Sequence, residues 1–376
     1  MSFLWNNGLI MKRILFLIND LGVGGAQKVF LNDAKDLEAE GHVVKLITMF
    51  RGRDDDRVSE NCLLLERSFL GMIKGVPKLR ALLKEFAPDV VISTLDEANF
   101  LLKLTRFTVW GGKMGFFVRE ANEADKKALK YKIFDIVTSV CSVNIIAVSE
   151  AVKRTLVSYL PWKASQIDVV PNGIVIGSAS TAPGSQKTDP GQITVLNVGS
   201  LTKKKNHEFL LRSFALAMRE LEQAQNAIRH RVKLVIAGQG DELPHLEKVA
   251  ADLDLSNKVI FLGKVAPDAT GSIYANADIF ALSSSREGFP NVLLEAMVYS
   301  LPVVSTNAGA SPEIVDNGKT GFIWHKGDQN SFAQSLVMLI LDSDMRKKMG
   351  QAGRARLEQL YSQEKHLAKL KEVLGV

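Results

Sequence analysis

Uninterrupted apolar runs alternate along this chain with longer stretches in which apolar positions recur at helical spacing. Arg13-Ile14-Leu15-Phe16-Leu17-Ile18 is the first run. A run with no polar alternation suits a parallel strand covered on both faces. A glycine-rich break follows at residues 19–25. Residues 26–40 read as a helix with Gly41 as its stop, and residues 43–48 as the next strand. Strand, loop, helix and strand make one βαβ unit. Residues 75–86 read as a helix, and strands are predicted at 88–93, 116–118 and 144–148. This half is therefore a doubly wound α/β domain, ending near Ile167-Asp168-Val169-Val170-Pro171-Asn172-Gly173.

Residues 177–192 are rich in Gly, Ser, Thr and Pro and have no apolar period, which marks a linker. The plan then repeats. Strands are predicted at 193–198, 232–237, 259–262, 277–282 and 303–305. Helices are predicted at 208–221 and 243–253, with long helices from about 329 to the end. The reading divides the chain into an N-terminal Rossmann-like domain over 11–175, a linker over 176–192, a second Rossmann-like domain over 193–358 and a C-terminal helix over 359–376. A length of 376 residues agrees with two domains. Two such sheets predict a central cleft, with ligands at the carboxyl ends of the strands.

Composition changes this picture little. Hydrophobic residues make up 46% and charged residues 23%, as in ordinary globular proteins. No apolar run is long enough to predict a transmembrane helix. Residues 1–10 lack the basic leader and apolar core of a signal peptide and read as an extension before the first strand. Cys62 and Cys141 lie beside apolar residues and read as buried free thiols. The net charge of +6 has two readings: a mildly basic surface of no consequence, or attraction to an acidic substrate or anionic membrane. Nucleic acid is disfavoured, because no zinc-ligand, basic-zipper or aromatic RNA-binding pattern is present.

The chemistry concentrates in Ser283-Ser284-Ser285-Arg286-Glu287-Gly288-Phe289-Pro290-Asn291-Val292-Leu293-Leu294-Glu295-Ala296-Met297. A loop leaves a strand here, and Pro290 suits the first position of a new helix. Val292, Leu293, Ala296 and Met297 mark its buried side. A helix start of this kind attracts anions, while Glu287 and Glu295 suit a ligand that also bears hydroxyls. A nucleotide sugar carries both. The plainer alternatives are a loop charge paired with Arg286 and an exposed helix residue. A second strand-end loop, Gly199-Ser200-Leu201-Thr202-Lys203-Lys204-Lys205-Asn206, carries three lysines. They suit phosphate oxygens or form a solvated basic loop. Gly22-Val23-Gly24-Gly25-Ala26-Gln27 lacks the spacing of a dinucleotide fingerprint, which disfavours a dehydrogenase. It reads either as a ligand-facing loop or as a tight turn.

Together these segments resemble glycosyltransferase family 4, retaining enzymes of the GT-B fold, of the type that builds bacterial glycans and lipid-linked oligosaccharides. Glu287 to Glu295 has the family's E-x7-E spacing. Gly22 to Gln27 resembles its first glycine loop, Pro171-Asn172-Gly173 its hinge and Gly199 to Asn206 its diphosphate loop. Ala237-Gly238-Gln239-Gly240 and the stretch from Ala308-Gly309 to Glu313 resemble two further turns. The resemblance implies a hexosyltransferase using a nucleotide diphosphate sugar, with UDP-hexose or UDP-N-acetylhexosamine favoured, and a glycan or lipid-linked acceptor in cell-surface polysaccharide or lipopolysaccharide synthesis.

Carried over by position, Glu295 holds the ribose hydroxyls, Glu287 the transferred sugar and Lys205 the diphosphate. Gly199, Ser200, Gly238, Gly288, Phe289, Pro290, Asn291 and Val292 line the donor, and Gly24 and Gly25 approach from the N-terminal domain. The family's C-terminal helix often returns to that domain. Ser200 stands where the family has arginine, so Lys203, Lys204 or Arg119 is the candidate replacement. The segment Phe117-Val118-Arg119-Glu120-Ala121-Asn122 offers no histidine base. In the front-face mechanism proposed for this fold, the leaving phosphate takes the acceptor proton. No metal or other cofactor is expected. The aromatic stretch 107–117 and the lysine-rich 126–134 predict a basic amphipathic surface for peripheral contact with an anionic membrane at the cytoplasmic face, or an ordinary lysine-faced helix. The rival functions are a nucleotide-sugar epimerase or hydrolase on the same fold and a non-catalytic donor-binding subunit.

Overall fold

The structure is a computed structural model that describes residues 11–22, 24–51, 62–109, 114–121, 129–139, 143–176, 189, 191–266 and 269–376. It divides into two compact units. The residues up to Gly173 and Glu364–Val376 form one, and Ile174–Gln363 form the other. Cys141, residues 52–57 of the charged stretch, most of the predicted linker and parts of both aromatic and basic segments lie outside the described residues.

The first unit is a parallel sheet of β1 (Arg13–Ile18), β2 (Val43–Thr48), β3 (Val90–Thr94), β4 (Gly115–Glu120), β5 (Asn144–Ala147) and β6 (Ile167–Val169). Its order is β2-β1-β3-β4-β5-β6. The covering helices are α1 (Gly25–Ala39), α2 (Phe69–Phe86), α3 (Asp96–Thr108), α4 (Leu129–Thr138) and α5 (Glu150–Tyr159). β1, β3 and β4 are buried along nearly their whole length, as their unbroken apolar runs require. α2 begins earlier than its pattern predicts. It starts at Phe69 rather than Gly75, where the Ser68 hydroxyl accepts the Gly71 N–H at 3.0 Å and caps the start. Cys62 is a free thiol and half-buried rather than buried.

The second unit contains β7 (Ile193–Val198), β8 (Val232–Ala237), β9 (Val259–Gly263), β10 (Ile279–Leu282), β11 (Val303–Thr306) and β12 (Gly321–Trp324). They form a parallel sheet in the order β12-β11-β10-β7-β8-β9. Its helices are α6 (His207–Gln223), α7 (Leu243–Asp252), α8 (Thr270–Ala275), α9 (Asn291–Val298), α10 (Ser311–Ile314), α11 (Gln329–Leu341) and α12 (Ser343–Leu360). Strand order reverses between β7 and β10, so the loops leaving these two strands meet at the switch point where such sheets bind ligands.

The last helix, α13 (Gln363–Leu374), packs on the first unit through Leu367, Leu370 and Leu374. A buried polar cluster fixes it there. His366 places Nδ1 2.6 Å from the Pro171 carbonyl oxygen and Nε2 2.8 Å from Asp33 Oδ1. Asp33 also accepts from Arg119 Nη1 at 2.8 Å, while Arg119 Nη2 donates to Asn172 Oδ1 at 2.6 Å. Burial alone would raise the Asp33 pKa, but the His366 and Arg119 charges outweigh it and hold the carboxyl below its ordinary range.

Candidate active site

The switch point of the second unit gathers residues that are far apart in sequence. β7 delivers Gly199 to Asn206, and β10 delivers Ser283 to Pro290. Serine side chains tie the two loops together. Ser283 Oγ donates to the Lys205 carbonyl at 3.0 Å, and Ser285 Oγ donates to the Lys204 carbonyl at 2.9 Å. The Ser285 N–H reaches the same Lys204 carbonyl at 2.8 Å. The serine run is therefore a fastener that sets the position of the lysine loop.

Fastening the loops brings Lys205 Nζ to 2.5 Å from Glu287 Oε1, across 82 positions of sequence. Ser284 Oγ donates to the same Glu287 oxygen at 2.6 Å. Glu287 is thus paired with Lys205, not with Arg286. Both side chains of the pair keep some exposure, 15% for Lys205 and 11% for Glu287, so a ligand can reach them. Lys203, Lys204 and Ser200 are exposed.

Two glycines let backbone segments stack at the site. Gly238 has φ +153, and a Cβ there would lie 1.8 Å from the Gly199 carbonyl oxygen. Gly309 has φ +52, and its Cβ would meet the Glu287 carbonyl oxygen at 1.6 Å. Neither approach tolerates a side chain.

α9 starts at Asn291, so Pro290 is the residue before the helix rather than its first position, and no side chain caps this start. The helix buries Leu293, Leu294, Ala296 and Met297, whereas Val292, expected inside, is half-buried. Gly288, Phe289 and Pro290 are buried, and the Phe289 ring meets the edge of Tyr361 with centroids 5.9 Å apart. Glu295 is half-buried on the next turn. It accepts a hydrogen bond from Tyr274 Oη at 2.7 Å.

His207 was not singled out by its pattern, yet it underlies the lysine loop. Burial, with the Lys205 charge acting in the same direction, drives its pKa down to about 4. It is therefore neutral at pH 7. Its Nε2 lies 3.0 Å from Asn197 Oδ1, and Asn197 Nδ2 donates to the Ala281 carbonyl at 2.7 Å. This chain of contacts joins the base of α6 to β7 and β10.

Three of the predicted residues belong to the other unit. Gly24 is the residue before α1 and Gly25 its first position. Arg119, expected as a replacement cation for the diphosphate, is only 3% exposed, with Asp33 and Asn172 as its partners. A guanidinium committed to a buried carboxylate is part of the framework of its own unit. Among the described residues, no group of three or more His, Cys, Asp or Glu is placed to hold a metal ion.

Two doubly wound units of this kind, one with carboxylates and a lysine at its switch point, define a GT-B glycosyltransferase. Residues 23–177 match the model for Glycosyltransferase Family 4, and residues 180–356 match that for Glycosyl transferases group 1. The chain belongs to glycosyltransferase family 4 and is a transferase enzyme. It is 27% identical to a capsular polysaccharide biosynthesis glycosyltransferase, CapM, of Staphylococcus aureus over 77% of both chains. It is 25% identical to a lipopolysaccharide core biosynthesis glycosyltransferase, LpsE, of Rhizobium meliloti, covering 91% of this chain and 93% of that one. Among solved structures, HepE from Anabaena in complex with UDP superposes with a TM-score of 0.80 at 19% identity, covering 96% of this chain and 99% of that one. WaaG, a glycosyltransferase involved in lipopolysaccharide biosynthesis, gives 0.72 at 17% identity, covering 96% and 98%.

Proposed function

We propose that this enzyme transfers a hexose or N-acetylhexosamine, with retention of configuration, from a UDP-sugar to a growing cell-surface glycan. The observation that carries this reading is the Lys205–Glu287 pair beside the α9 start, with Glu295 one turn into the same helix. An ammonium beside an uncapped helix start suits a diphosphate. Two carboxylates flanking it suit the hydroxyls of two sugars. Gly199, Ser200, Gly238 and residues 288–292 would line that donor. Gly24 and Gly25 are the residues of the first unit assigned to it. The capsule and lipopolysaccharide roles in the names of CapM and LpsE support the choice of acceptor class, and the UDP bound to HepE supports the choice of nucleotide. With Arg119 assigned to the framework, Lys205 is the main protein cation proposed for the leaving diphosphate. A melting-temperature panel of nucleotide sugars tests the reading. At a hundredfold excess over Kd, the matching donor should raise Tm by about 5 °C; a flat panel would remove the reading's main support.

The acceptor side is proposed to work at the cytoplasmic face of an anionic membrane. No helix among the described residues is long and apolar enough to cross a bilayer. α4, however, turns an apolar stripe outward. Leu129, Ile133, Ile136 and Val137 are 41–72% exposed, and Trp162, 56% exposed, joins their end by donating from Nε1 to Ser139 Oγ at 3.0 Å. Tyr131 and Phe134, half-buried on the same helix, pack on Phe100. Sequence neighbours Lys126, Lys127, Lys130 and Lys132 supply the positive charge that such a stripe needs at an anionic surface. In co-sedimentation, the protein should pellet with vesicles containing anionic lipid, and Ile133→Glu with Val137→Glu should abolish this. Recovery of the wild type wholly in the supernatant would refute the contact.

A further inference from the structure

Tyr274 lies outside every segment that the family resemblance carries. It belongs to α8, a six-residue helix just before β10, and is 1% exposed. Two aromatic rings stack with it. Tyr299 lies nearly parallel, 9° between planes and 5.6 Å between centroids, and Phe280 lies at 28° and 5.8 Å. A buried phenol needs a partner for its O–H. Here the partner is Glu295 Oε2 at 2.7 Å.

We propose that Tyr274 is a positioning residue for donor binding: it orients the Glu295 carboxylate so that one oxygen is held and the other is presented to the ribose diol. This rests on the proposed role of Glu295 as the ribose-binding residue. Three features support it. The aromatic stack leaves the phenol ring no freedom to swing away, so the hydroxyl occupies a fixed point. Burial first, and the neighbouring Glu295 second, push the phenol pKa well above its ordinary value, so Tyr274 remains a donor at every physiological pH and never competes as an anion. Glu295 sits on α9, whose buried face is locked by Leu293, Leu294, Ala296 and Met297. With the helix and one carboxylate oxygen both fixed, the direction of the remaining oxygen is set before the ligand arrives. A ligand then loses less freedom on binding, because the receiving group is already ordered.

The test removes one oxygen atom. Tyr274→Phe keeps the stack and deletes the hydrogen bond. Calorimetric titrations of UDP and GDP, and of the 2′,3′-dideoxy form of each, are made on the wild type and on Tyr274→Phe. The wild type should prefer the ribose form of the nucleotide that binds. Tyr274→Phe should lose about tenfold in affinity for the ribose form, the size expected for one hydrogen bond to a charged group. Its affinity for the dideoxy form should be unchanged. In turnover assays the donor KM should rise while kcat holds. Equal loss for both forms would mean that Tyr274 supports the fold rather than the ribose site and would overturn the proposal, as would no loss for either. A wild type that binds both forms equally would instead refute the role of Glu295 itself, and a wild type that binds neither nucleotide would refute the donor site.

Discussion

Replacing Lys205 with alanine is expected to lower kcat at saturating donor a hundredfold or more. In a transfer from a nucleotide sugar, negative charge grows on the diphosphate as the glycosidic bond breaks. A cation in contact with it is worth more in the transition state than in the ground state. Removing one such preorganised contact typically raises the barrier by about 3 kcal/mol, which is roughly a hundredfold in rate. The effect should be large here because Arg119 is occupied inside the first unit and Ser200 replaces the family arginine. The variant also leaves Glu287 with Ser284 but without its ammonium partner, placing an unbalanced carboxylate beside the position proposed for the diphosphate. Lys203→Ala and Lys204→Ala are the controls. Their side chains are exposed, and each should stay within about threefold of wild type, since exposed charges interact weakly. A Lys205→Ala enzyme within threefold of wild type would remove Lys205 from the reaction.

The largest expected effect on stability lies in the other unit. Arg119→Ala should cost about 3–5 kcal/mol in equilibrium urea unfolding, the usual penalty for removing one partner of a buried ion pair. The cost comes chiefly from what remains. Asp33 is 1% exposed and keeps its contact with the His366 ring but loses its guanidinium partner, and Asn172 loses the Arg119 donor. Arg119→Lys should not restore stability, because a single ammonium cannot serve Asp33 and Asn172 in the geometry of the guanidinium fork. The pH dependence has a definite sign. The folded pKa of Asp33 is lowered from 3.8, so the unfolded chain binds its proton first on acidification. The contribution of Asp33 is complete above that value and is lost as pH falls below it toward the folded pKa. A loss below about 1 kcal/mol for Arg119→Ala would contradict the framework role.

Much of the architecture was legible because parallel strands need continuous apolar runs. β1, β2, β7 and β8 begin and end where those runs do. Helix ends were less legible. α2 starts at Phe69, ahead of the predicted start at Gly75, and only the Ser68 cap shows why. The two loops at the switch point stood out in the sequence as motifs, but their contacts did not. Lys205 and Glu287 meet because β7 and β10 are neighbours at the reversal of strand order, which is a property of the sheet and not of either loop. Arg119 shows the opposite problem. Its place at the end of β4 suggests a ligand-facing cation, and its partners on α1 and after β6 are invisible until the chain is folded. Tyr274 and His207 carry no motif. The available signal was that a tyrosine or histidine beside a buried strand must find a hydrogen-bond partner, and that signal does not name the partner.

The melting-temperature panel becomes most direct when it is repeated on Glu295→Ala. This substitution sits on the surface of α9 that faces Tyr274, and the apolar contacts of the helix remain. One nucleotide diphosphate sugar should raise the Tm of the wild type and fail to raise that of Glu295→Ala at the same concentration. A wild type that no nucleotide sugar stabilises, or a variant that the donor stabilises equally, would contradict it.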